Sequence, residues 1–287
     1  MKLGVCGGKL PANMDDLTSE LCREVRTLGY SGIFTRFRDN DPLTTTREQC
    51  QRARAVIEDS GIKLYQATGY WQCLIHPDET KRAEAVKVLQ AGLKIAGWLG
   101  ARSIDTGPGS MNPRGPWFPH PDNWTPIARR QLIRSLREAA PAAEDAGVYL
   151  GLEAHQLVTL SSPEVTCDVL DAVDSRWVRC DLDPANWITL QTAFETGPAI
   201  DHMFDVLGDR IVSGHAKDSI IIDRLTIHID AGCPGTGNLD FGTYLRRIEA
   251  LNPEYPLIVE GASYEQWGAA SEFLHGIARQ EGITIRG

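Results

Sequence analysis

The 287-residue sequence has no apolar run approaching the ~20 residues that cross a bilayer, so no membrane span and no membrane partner are expected. It also lacks an excess of positive charge. Lys and Arg total 29 against 38 Asp and Glu, a net charge of −9. With no basic tract to offset that balance, nucleic acid is not an expected partner. Seven cysteines (Cys6, Cys22, Cys50, Cys73, Cys167, Cys180 and Cys233) contain no CxxC pair, which argues against a thiolate zinc site or a disulfide framework. The opening MKLGVCGGKLPANMDD turns polar too soon for a secretory signal, and together with the odd cysteine count it predicts a reduced, cytoplasmic protein. Cys180 lies near the candidate site below, but nothing in its surroundings marks a lowered thiol pKa. A glycine-rich phosphate fingerprint is missing as well. The glycines of GVCGGKLP are followed by a proline and a delayed helix, which disfavours a doubly wound nucleotide-binding sheet.

What the chain does have is an alternation of short apolar runs with longer helical stretches. The runs are 2–6, 31–34, 62–67, 101–106, 148–153, 177–183, 211–215 and 255–260. Helices are predicted near 15–29, 46–60, 79–98, 125–146, from Pro163 onward, 192–207, 240–251 and 265–280. In the third of these, Val86, Leu89, Leu93 and Ala96 recur at steps of three and four, one helix face. Ser162 and Pro163 read as a cap and a first-turn proline. Pro141 is expected to kink or split its helix. Eight strand–helix units with no composition break predict one α/β domain over 1–287, a single (β/α)8 TIM barrel.

Two connections exceed ordinary turns. Residues 107–124, GPGSMNPRGPWFPHPDNW, hold five prolines and two tryptophans and are expected to cover a substrate. Residues 216–239 contain an alternating middle, DRLTIHID, expected to form a hairpin.

The later runs end in ionisable residues. GLEAHQ brings Glu153 and His155, RCDLDPANW brings Asp181, Asp183 and Asn186, SGHAKD brings His215, Lys217 and Asp218, and LIVEG brings Glu260. Strand ends of a barrel converge on one mouth, so Glu153, Asp183, His215 and Glu260 are expected to meet there. Three carboxylates so close repel one another unless a cation joins them. An oxygen-rich set with one imidazole suits one divalent ion, Mn²⁺ before Mg²⁺, Co²⁺ or Zn²⁺. Residues two apart on a strand share a face, which aims His155 with Glu153 and Lys217 with His215. His155, with an ordinary pKa of about 6.5, is a candidate base, and Lys217 a candidate partner for a substrate oxygen. Tyr70, Trp71, Trp117, Trp124 and Trp187 follow strand ends and would offer rings to a sugar or aglycone, whereas Trp98 reads as core. Trp117, Trp187, Asn186 and Lys217 are the expected substrate-binding set. His76, His120 and His228 read as ordinary loop residues.

Over nearly its whole length the chain resembles the sugar phosphate isomerase/epimerase superfamily, the xylose isomerase-like TIM barrels. GLEAHQ, CDLDPANW, RIVSGHAKD, PGTGNLDF and PLIVEG carry the resemblance. It implies Glu153, Asp183, His215 and Glu260 as metal ligands, with the two glutamates also exchanging protons with substrate. Asn186 stands where the ketose 3-epimerases of the superfamily have a histidine, and Ile221 where they have an arginine. The expected function is therefore a divalent-metal-dependent isomerase or epimerase of a sugar or keto-sugar derivative, removing a C–H proton beside a polarised carbonyl. The alternative is a lyase of the same superfamily, a dehydratase or a C-glycoside deglycosidase-like enzyme cleaving a 3-keto-glycoside by β-elimination. The superfamily's endonuclease branch requires further histidine and carboxylate ligands, and the acidic charge opposes it. A sugar or glycoside is the expected partner, with a homo-oligomer or an accessory subunit also compatible.

Overall fold

The computed structural model describes residues 1–287. Strands β1 (Lys2–Cys6), β2 (Gly32–Thr35), β3 (Lys63–Thr68), β4 (Ser103–Thr106), β5 (Tyr149–Leu152), β6 (Val178–Leu182) and β7 (Ile211–Ala216) run parallel in sequence order. An antiparallel hairpin, β8 (Asp218–Ile222) and β9 (His228–Gly232), interrupts the series before β10 (Pro256–Val259) closes the barrel between β7 and β1. Eight helices surround it: α1 (Ser19–Thr27), α2 (Arg47–Asp59), α3 (Glu79–Leu99), α4 (Pro126–Ala146), α5 (Pro163–Val173), α6 (Thr196–Leu207), α7 (Phe241–Leu251) and α8 (Trp267–Gln280). The protein is a (β/α)8 TIM barrel, as its alternating pattern predicts.

Local chemistry sets the helix ends. The hydroxyls of Thr18, Thr46, Thr125 and Ser162 and the carboxylates of Asp78 and Asp240 accept first-turn N–H bonds. Gly100 and Gly147 end α3 and α4 in the left-handed conformation, where a β-carbon would be strained.

Alternate strand residues face outward, and Leu3, Val5, Ile104, Leu150, Leu182 and Leu257 are fully buried beneath the helices. The barrel interior is different. Its apolar part is a separate small group, Cys6, Phe34, Tyr65 and Ile258. Beside it lie the buried polar side chains Gln66, Asp105, Asp181, Ser213 and His215. Two β-bulges aim these groups inward. Between β2 and β3, Ile33 pairs with Leu64 and Phe34 with Gln66, which leaves Tyr65 as the extra residue. The Tyr65 ring lies over Gly32, where an added β-carbon would come within 2.4 Å of it. Between β6 and β7, Val212 is the extra residue, and Ser213 then sits opposite Asp181.

Three sequence expectations need correction. Pro141 does not split α4. It and Arg137, whose carbonyl loses a donor, are both exposed, while Leu136, Ala139 and Ala143 hold the opposite face in the core. The helix expected from 192 begins at Thr196, because Thr192 Oγ1 accepts the Thr189 N–H at 3.0 Å and closes a turn. The helix expected from Asp15 is a 3₁₀ turn (Met14–Asp16) followed by α1. The expected hairpin is present, with DRLT at its tip between β8 and β9.

Candidate metal centre

Four chain segments deliver the ligand set to the carboxyl ends of the strands. Glu153 follows β5 directly, its N–H bonded to the Thr106 carbonyl at 2.8 Å, and Glu260 follows β10, bonded to Ala216 O at 3.0 Å. Asp183 follows β6 and caps a 3₁₀ turn (Pro184–Trp187) with Oδ1, which accepts from Ala185 N–H at 3.1 Å and leaves Oδ2 for the mouth. His215 is fully buried on β7 and stacks on Phe34, ring centroids 6.0 Å apart. One candidate ligand atom from each of Glu153, Asp183, His215 and Glu260 lies within 4.8 Å of the others.

The histidine shows how the cluster is organised. Its Nε2 lies 2.9 Å from Gln66 Oε1 and 3.1 Å from Asp181 Oδ2. Ser213 Oγ donates to the other Asp181 oxygen at 2.7 Å. Nε2–H donation to these acceptors leaves Nδ1 turned toward the mouth, where a neutral ring would carry its lone pair. That atom is buried without a hydrogen-bond partner and sits 3.6 Å from both Glu153 Oε1 and Glu260 Oε2. A carboxylate fixing the far nitrogen of a ligating imidazole is the usual support of a metal site.

Charge tells the same story. Lys217 Nζ reaches into the cluster, 2.5 Å from Asp183 Oδ2, 3.3 Å from Glu260 Oε2 and 3.8 Å from Glu153 Oε1. Even so, burial pushes Asp183 up to about 7, against the pull of Lys217. Burial and the nearby Glu153 also hold Asp105 well above the usual carboxylate range. Glu153 and Glu260 move the other way. Burial opposes their charge, but the nearby positive charge of Lys217 pulls both down. The carboxylates outnumber their cations. With a free imidazole nitrogen aimed between two of them, this donor set fits a divalent ion.

The other expected site residues divide into two groups. Asn186 donates from Nδ2 to Glu153 Oε1 at 2.8 Å. His155 lies beyond the end of β5, so the strand alternation expected to orient it does not apply. Its Nδ1 accepts the Leu157 N–H at 3.3 Å, its ring sits 5.6 Å from that of Trp117, and burial lowers its pKa. His155, Asn186 and Lys217 line one cavity at the mouth. Trp117 packs over Gly107, where a β-carbon would fall 2.3 Å from the indole. Trp187 is a correction: it is 6% exposed in the core with its indole N–H on Leu160 O at 3.3 Å, so it offers no face to a ligand. Tyr70 turns away to pack on Gly92 of α3, and Trp124 is exposed with its N–H on Gln156 O. Trp98, read as core, is only half-buried beneath Lys94. His76 and His120 accept local turn N–H groups. All seven cysteines are free, and Cys180 lies in the outer core.

The sequence reading missed Arg36, Asp105 and Gln66. Arg36 pairs with Glu260 and stacks over Phe34 and Trp71, whose indole N–H donates to Asp105 Oδ2 at 2.9 Å. An acid inside the short apolar run SIDT was the available signal for Asp105, and Arg36 just past β2 follows the same strand-end rule as Glu260.

The family model for xylose isomerase-like TIM barrels matches residues 22–278. The chain belongs to that family. Among solved structures, this TIM barrel is similar to a xylose isomerase domain protein from Planctomyces limnophilus, at 20% identity and TM-score 0.73 over 98% of this chain and 97% of that one. A 3-keto-D-glucoside 4-epimerase from E. coli matches at 17% identity and TM-score 0.72, over 96% and 99%. A D-psicose 3-epimerase from Clostridium cellulolyticum H10, solved with D-tagatose, matches at 16% and TM-score 0.75, over 99% and 100%. At these identities the likeness is one of fold. No protein of curated function matches the sequence. No helix of this family member is long and apolar enough to cross a membrane.

Proposed function

We propose that the protein is a divalent-metal-dependent isomerase or epimerase of a keto-sugar derivative, working by proton transfer at the carbon beside the carbonyl. The observation that carries this reading is the unbonded, buried His215 Nδ1 held 3.6 Å from each of two glutamates. Glu153, Asp183, His215 and Glu260 would hold the ion, with Mn²⁺ the best match to the donors. When bound, such an ion supplies Lewis-acid polarisation of a substrate oxygen.

The chain's own groups do the rest. Glu153 and Glu260 face the same mouth, so either is placed to accept a carbon-bound proton and return it. Asn186 fixes one oxygen of Glu153, and Arg36 with Lys217 fixes Glu260. Lys217 also places a positive charge where enolate charge would develop. His155 is the third candidate base, but it must first release the Leu157 N–H. The neighbours named as 3-keto-glucoside and psicose epimerases support a keto-sugar substrate. A leaving group β to the carbonyl would turn the same proton removal into elimination, the lyase outcome.

Turnover of 3-keto-sugars and ketohexoses in D₂O with Mn²⁺ tests the reading. Deuterium is expected at the carbon beside the carbonyl, in an epimer or isomer. Turnover with no carbon-bound deuterium would replace proton transfer with a hydride shift, and release of a fragment would select the lyase.

A further inference from the structure

We infer that the substrate is a glycoside carrying an apolar aglycone, and that the aglycone sits between the β8–β9 hairpin and the loops after β5 and β6. This inference rests on the keto-sugar reading above and names the part of the substrate that reading leaves open. A cavity of about 480 Å³ occupies this position, within the roughly 300–1,000 Å³ usual for small-molecule sites. Its inner end is polar. Asn186 and Lys217 line it, and both reach Glu153, which sets the cavity beside the carboxylate cluster.

Its outer end carries three exposed apolar side chains beside the His228–Asp230 pair. Leu157, Leu190 and Ile227 are 44%, 53% and 52% exposed, and they come from three separate loops to line this one cavity. Apolar side chains that converge while still facing water gain free energy when an apolar ligand covers them. A free ketose would leave them wet, and a second sugar ring would set hydroxyls against them. A sugar at the polar end with an apolar group at the other end matches the gradient.

The hairpin wall is held in place from below. Asp218, 1% exposed, accepts backbone N–H groups from Ser219, Gly235, Gly237 and Leu239 at 2.9–3.0 Å. A β-carbon on Gly237 would fall 2.6 Å from that carboxylate. The cavity wall is therefore braced against the loop that leads into α7, and the hairpin presents Ile227 from a fixed base.

The test compares phenyl and methyl 3-keto-β-glucosides with Mn²⁺, by KM and by direct calorimetric binding of the unoxidised phenyl and methyl glucosides. The intact protein should favour the phenyl compound by about tenfold or more. The double variant Leu190→Ser with Ile227→Ser should lose most of that preference. Leu225→Ser, at the fully exposed hairpin tip outside the cavity, should keep it. Equal affinity for the two compounds in the intact protein would overturn the inference. So would a double variant that retains the preference, or one that turns a dimer into a monomer in sedimentation, which would make these side chains a subunit contact. Phenyl-selective binding with no turnover of either keto-glucoside would keep the aglycone site and reject the proposed chemistry instead.

Discussion

The two ends of the barrel handle charge in opposite ways. At the amino ends of the strands, charges are paired nearly one to one. Lys2 Nζ lies 2.7 Å from Glu254 and Arg286 Nη1 lies 2.9 Å from Glu249, while Arg102 rests over the rings of Tyr149 and Tyr255. The cavity at that end, about 540 Å³, sets Lys2, Lys63 and Arg102 against Glu58 and Glu254. At the carboxyl ends, Glu153, Asp183, Glu260, Asp105 and Asp181 crowd around Lys217, Arg36 and His215. Surplus buried negative charge opposes folding, so it persists where something positive is to be held. One end matches its charges, and the other carries a surplus that the proposed ion would offset.

The strongest way to break this contrast is to neutralise one acid at each end. Glu153→Gln and Glu260→Gln should lower turnover by roughly 10²–10⁴-fold while leaving the Tm of the ion-free protein unchanged or raised. Glu249→Gln should do the reverse, keeping turnover and lowering Tm by about 2 °C. Equal Tm losses at both ends would erase the distinction.

Asp181 lies inside the barrel but acts on the mouth through His215. Asp181→Asn should weaken Mn²⁺ binding by about 10–100-fold in calorimetry. Unchanged affinity would make the Asp181–His215 contact a packing feature only.

The third prediction separates the ends by pH. Asp183 is raised to about 7, so in the folded, ion-free protein its proton stabilises, and that contribution is lost as pH rises through about 7. An ion must displace this proton, and the Tm gain on adding Mn²⁺ should therefore be larger near pH 8 than near pH 6. A gain independent of pH would remove Asp183 from the ligand set.

The smallest expected effect is at the opposite end. The hydrogen bond from Lys2 holds Glu254 below the usual carboxylate range. Its stabilisation is present above the unfolded pKa and lost as pH falls through the folded value. The Tm difference between Lys2→Met and the unaltered protein should thus be small near pH 7 and shrink further as pH falls below the ordinary carboxylate range. A difference that grows in acid would contradict the pairing.

Much of this was legible without coordinates. Apolar runs separated by capped helices specify a (β/α)8 barrel because burial demands a strand face and a helix face at each step. Strand-end acids such as Glu153, Asp183 and Glu260 were visible because an ionisable residue closing a buried run stands out locally. Gln66 was not, since an amide within a strand is common and its partners lie far away in sequence. Trp187 was misread for a related reason: an aromatic after a strand can face the mouth or the helices, and the pattern does not distinguish the two.

The sequence alone thus determined the fold and brought out four candidate ligands, both through local periodicity and through which residue closes each apolar run. Only the tertiary structure decided the rest. The bulges at Tyr65 and Val212 depend on pairing between strands, and they turn Gln66 and His215 inward. The hold of Asp181 on His215 and the reach of Lys217 into the carboxylates depend on distances across a closed barrel. Electrostatic energy varies with separation in space, and a linear order of residues does not contain that separation.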